Sequence, residues 1–74
     1  MKTYDIRKHS GHVPWPDDDG ELIRANLSQL DALNGLWQIS DELYPTHTLA
    51  GGGFVMYATD SAGNQSTYRV HSHV

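Results

Sequence analysis

Seventy-four residues bound the chain to one domain, and a domain of that size hides only about 60% of its unfolded surface. The chain has no cysteine, which excludes disulfide staples and thiolate zinc sites together. Nine acids against five Lys and Arg give a formal charge of −4, which disfavours generic binding to nucleic acid or anionic lipid, while 38% hydrophobic content supports a core and argues against wholesale disorder.

No apolar run reaches membrane-spanning length. The opening Met1-Lys2-Thr3-Tyr4-Asp5 lacks the apolar region of a signal peptide. A cytoplasmic location is therefore expected, in keeping with the absence of cysteine. A small domain without staples also invites a partner or a second copy to complete its core, so a homodimer belongs among the expectations.

Residues 3–9 alternate. Tyr4 and Ile6 point one way, while Asp5, Arg7 and His9 point the other, as in a half-buried strand. Ser10-Gly11-His12 breaks the pattern. Val13-Pro14-Trp15-Pro16 must be extended or turn-like, because each proline fixes its own φ and pushes its predecessor out of the α region. Asp17-Asp18-Asp19-Gly20 then reads as a solvated turn. Residues 21–27 read as a second strand with Ile23, Ala25 and Leu27 inward and Leu22, Arg24 and Asn26 outward; the alternative is that they extend the next helix backwards.

Ser28 is a good helix N-cap, with Asp31 three residues on as a weaker capping box. Over residues 29–44, at about 100° per residue, Leu30, Leu33, Leu36, Trp37, Ile39, Leu43 and Tyr44 fall within roughly half the circumference. Asp31, Asn34, Gly35, Gln38, Asp41 and Glu42 take the other half. On that polar arc Gly35 costs helix propensity, about 1 kcal/mol relative to Ala, but no packing. Pro45 ends the helix.

Residues 46–53 read as a linker closing in Gly51-Gly52-Gly53. A hairpin follows. Asp60 at the first turn position and Gly63 at the left-handed position of Asp60-Ser61-Ala62-Gly63-Asn64 fit a type I turn with a G1 bulge. That turn sets Asp60 opposite Asn64, so Phe54 faces Val70, Met56 faces Tyr68 and Ala58 faces Ser66, all on the apolar side. The other side carries Val55 with Arg69, Tyr57 with Thr67, and then His71 and His73. Turn and apolar pattern thus choose the same register.

The expected architecture is α+β: a small antiparallel sheet in β-β-α-β-β order, or β-α-β-β if residues 21–27 join the helix, with one amphipathic helix packed on one face. The expected core is Tyr4, Ile6, Ile23, Leu27, Leu30, Leu33, Leu36, Trp37, Ile39, Leu43, Phe54, Met56, Tyr68 and Val70. The final strand, residues 66–73, has only Arg69 to blunt an exposed edge, which makes it the expected dimer edge.

Partner-binding candidates divide into two groups. Arg7, Arg24, Arg69, Tyr57 and His71 are expected on the sheet face away from the helix. Arg suits bidentate contacts to phosphate or carboxylate and Tyr suits stacking, although cross-strand polar pairs on a solvated face look the same. Trp15, held between two prolines, is either a lid on the core or an anchor for a partner, and Asp17, Asp18 and Asp19 form an acidic contact patch.

Catalytic and cofactor signatures are wanting. Residues 17–21 lack the ligand spacing of a calcium loop. The glycine run lacks the Lys-Ser/Thr of a phosphate loop, and no nucleophile elbow frames a serine. His71 and His73, with His9 and His12, could offer imidazoles to zinc or nickel, but a pair two apart near the C-terminus is a weak signal. No cofactor is expected, and no enzyme. The leading expectation is a small non-enzymatic protein-binding module, such as the accessory or inhibitor proteins of phages and mobile elements. A nucleic-acid or phosphate binder and a histidine-based metal protein are the alternatives.

Overall fold

The computed structural model describes residues 2–12 and 20–73. Trp15, Asp17, Asp18 and Asp19 lie outside the described residues, and so does the extended segment expected around the two prolines. The elements in chain order are β1 (Thr3–Ser10), β2 (Glu21–Leu27), α1 (Gln29–Leu43), β3 (His47–Gly52), β4 (Val55–Asp60) and β5 (Gln65–His73). All five strands form one antiparallel sheet in the order β2-β1-β5-β4-β3, with α1 packed against it. Residues 21–27 are a strand, which removes the helical alternative.

The turn after β4 forms as its residues require. Gly63 sits at φ 87° and donates to the Asp60 carbonyl at 3.0 Å, while the Asp60 N–H donates to the Asn64 carbonyl at 3.0 Å. The Asp60 carboxylate accepts from the backbone N–H groups of Asn64 and Ala62 and from the Asn64 side-chain amide. The Asn64 bonds chiefly hold it below the usual carboxylate range. Met56 pairs with Tyr68, Ala58 with Ser66, Val55 with Arg69 and Tyr57 with Thr67, the register set by turn and pattern together.

Helix α1 starts where its cap dictates. Ser28 is extended, and its hydroxyl accepts from the Asp31 N–H at 3.1 Å, a contact of the kind that contributes about 1 kcal/mol. The helix stops two residues before Pro45. Ala32, Leu36 and Ile39 join Ile6, Met56, Ala58, Tyr68 and Val70 in the core, with Tyr4, Leu27, Leu43 and Leu49 packed at its border.

Four expectations are corrected. Residues 47–52 are an edge strand and not a linker. Leu49 faces inward there between exposed Thr48 and Ala50, a period-2 pattern too short and too glycine-rich to stand out. That strand makes the order β-β-α-β-β-β. It also removes β5 as a dimer edge, because β5 lies between β1 and β4 in the middle of the sheet. Gly35 is buried and not on an open polar arc; a Cβ placed there would lie 2.6 Å from the Ile6 Cδ1. Its missing side chain is what lets helix and sheet approach. Finally, Ile23, Leu30, Trp37 and Phe54 are exposed and not core residues.

The register of β2 explains Ile23. Tyr4 pairs with Leu27, Ile6 with Arg24 and Arg7 with Leu22, so β2 spends an extra residue at each of two successive irregularities. Asn26, at φ 57°, occupies the first of them, a conformation that Asn tolerates better than most residues. Each extra residue swaps the faces of those that follow, because strand side chains alternate with period two.

Candidate interaction surface

The bulges of β2 also divide the expected arginine face. Arg24 comes opposite Ile6 on the helix side, and its Nη1 donates to the Gln38 Oε1 of α1 at 2.8 Å. It therefore does not join Arg7 and Arg69 on the far side, as expected from strict alternation. Arg7, Arg69, Tyr57 and His71 do share that side: Arg7 pairs with Arg69, His71 with Asp5, and Tyr57 with Thr67.

This far side is not an ordinary solvated face. Asp5, His9 and Thr67 are buried on it. Thr67 donates its hydroxyl to the Gly11 carbonyl at 2.6 Å, and the Gly11 N–H donates to the Gln65 carbonyl at 2.9 Å. His12 follows, its Nε2 lying 3.2 Å from the Thr59 Oγ1 and its ring centroid 5.2 Å from that of Tyr57. The chain leaving β1 thus folds across β5 and β4. Arg7 and Asp5 form an ion pair at 3.3 Å, and the Nε2 atoms of His9 and His71 lie 3.4 Å apart. Among the described residues, no group of three or more His, Asp or Glu could hold a metal ion.

Burial, then the charges of Arg69, His9 and Arg7, hold His71 below its ordinary value near 6.5, with Asp5 opposing them. The unfolded chain therefore takes up this proton at a pH where the folded chain does not. Stability from this source is complete above about pH 6.5 and falls as the pH drops through that value towards the lower folded one. We expect His71→Gln to flatten the loss of stability between about pH 7.5 and pH 5.5, read from urea midpoints. Parallel declines in the two proteins would assign the acid sensitivity to other groups.

The helix side presents a different surface. Contacts of α1 with the sheet centre on β1, β5 and β2. Between α1 and the β3–β4 half lies a groove of about 260 Å³, lined by Leu36, Trp37, Leu49, Gly51, Val55 and Met56. Trp37 on its wall is 75% exposed; on the same face of the helix, seven residues to either side, Tyr44 is 71% and Leu30 68% exposed, and Phe54 stands exposed at the β3–β4 turn. The sequence does carry a sign of this surface. An apolar arc spanning half the helix is wider than the stripe of roughly 100° that one sheet contact needs, and here the surplus faces outward. Every acid of α1 is exposed along the same helix, at Asp31, Asp41 and Glu42, and the helix has no Lys or Arg.

The chain matches no protein-family profile, no curated protein and no solved structure. Among the described residues, no helix is long and apolar enough to cross a membrane.

Proposed function

We propose that the chain is a small non-enzymatic protein-binding module whose docking site is the groove between α1 and the β3–β4 half of the sheet. The observation that carries this reading is Trp37, three-quarters exposed at the rim of an apolar groove. Isolated apolar residues on a surface are ordinary, whereas exposed Leu30, Trp37 and Tyr44 recur every seven residues on one helix face, and an extended exposed apolar patch is a mark of an interaction site. Trp is also the residue type most enriched among interface hot spots.

The occupant that fits is an amphipathic helix with basic residues along its flanks. Its apolar stripe would enter the groove, as in other helix-in-groove complexes. Its Lys and Arg would meet exposed Asp41, one turn beyond Trp37 on the same helix face, in a chain of net charge −4.

A displayed library of helical peptides, panned against the intact chain, tests the proposal. Basic amphipathic sequences should be enriched, and Trp37→Ala should weaken their binding by roughly 30-fold or more, the size of a hot-spot loss. Trp37 is largely exposed, so the variant should keep its fold. No enrichment, or binders indifferent to Trp37→Ala, would overturn the assignment.

A further inference from the structure

The two edges of the sheet differ in kind. β2 is bulged twice, carries Glu21 and Arg24, and has Asn26 in a left-handed conformation. Those are devices that stop an edge from pairing with another strand. β3 has none of them over residues 47–50. It pairs with β4 without a register shift, and it contains no Lys, Arg, Asp, Glu or Pro. Gly51, at φ 102°, ends the regular stretch. Among the described residues β4 is its only sheet neighbour.

We infer that β3 pairs with β3 of a second copy of this chain, antiparallel about a two-fold axis normal to the sheet. A strand that meets itself must avoid facing its own charge, since like charges directly opposite are destabilising. Residues 47–50 meet that condition, in a chain whose nine acids lie elsewhere. The symmetry is closed, because each copy uses the same edge and none is left over. The product is a ten-stranded sheet with both helices on one face. It joins the two grooves across the axis, with a Trp37 on either side. The pairing uses backbone groups of the edge and does not depend on what the groove binds.

Sedimentation across about 1 μM to 1 mM tests the inference. The wild type should convert from monomer to dimer. Thr48→Lys places a charge on the edge, where Thr48 is exposed, and should weaken the dimer by tenfold or more while leaving the circular dichroism unchanged. In the wild type itself, amide exchange at residues 47–50 should slow as concentration rises. Trp37→Ala should dimerise normally, so loss of groove binding and loss of dimer are separable results. A wild type that stays monomeric at 1 mM overturns the inference. So does a dimer whose residues 47–50 exchange no more slowly than in the monomer.

Discussion

Ile6→Ala should cost about 2–5 kcal/mol of stability, the range for removing a large buried aliphatic side chain. Ile6 is fully buried in the middle of the core. It pairs with Val70 on one side and Arg24 on the other, on strands that flank β1. From the helix, Gly35 comes so close that a Cβ on it would lie 2.6 Å from the Ile6 Cδ1. The hole left by Ala therefore has a backbone wall above it and paired strands on both sides, and little can collapse into it. A domain of 74 residues has about 4–11 kcal/mol in hand at the usual 0.05–0.15 per residue, so the loss is a large share of the total. Urea unfolding reads it directly, as a fall in midpoint at unchanged slope. Ile23→Ala is the control. Ile23 has the same apolar, strand-like setting in the sequence as Ile6, yet it is exposed on the bulged edge, so its replacement should stay within about 0.5 kcal/mol. Equal losses at the two positions would contradict the register of β2.

What the sequence made legible was local and self-consistent. The β4–β5 hairpin could be placed residue by residue because Asp60 and Gly63 have specific backbone requirements and the apolar residues agreed with them. Ser28 and Pro45 marked the helix for the same reason. The expectations that failed depended on what lies across the sheet. Nothing in Glu21-Leu22-Ile23-Arg24 announces a bulge, yet two bulges reverse Arg24 and expose Ile23. Leu30 and Trp37 have the right spacing for a core, but how far a helix arc is covered depends on the width of sheet beneath it. The helix buries Ala32 and Gly35, and Gly35 lies close against Ile6; their small size gives no apolar bulk in the sequence to mark them. The candidate site was missed for this combined reason. Side chains assigned to the core became the rim of the groove, and the surface sought on the opposite face proved partly covered by Gly11 and His12.

Gly20→Ala should cost about 2–5 kcal/mol, more than its modest change in size implies. Two separate penalties meet there. Gly20 sits at φ 68°, and an L side chain in the left-handed region costs roughly 1–2 kcal/mol. A Cβ at this position would also lie 2.6 Å from the Lys8 carbonyl oxygen and 2.6 Å from the His9 ring. The carbonyl belongs to the strand paired with β2 and cannot turn aside without disturbing Lys8 opposite Glu21. The buried ring of His9 has His71 beside it. Forced overpacking of this kind adds about 1–3 kcal/mol. Gly63→Ala separates the two penalties, because Gly63 is at φ 87° but a Cβ there meets nothing within 4 Å. It should show the backbone penalty alone, and Gly63→Asn should show less of it, since Asn tolerates this region. If the Gly20 variant loses no more than the Gly63 variant, β1 and the start of β2 do not approach as closely as described. If it loses more, the histidine resonances should move with it, because the displaced ring is the one that contacts His71.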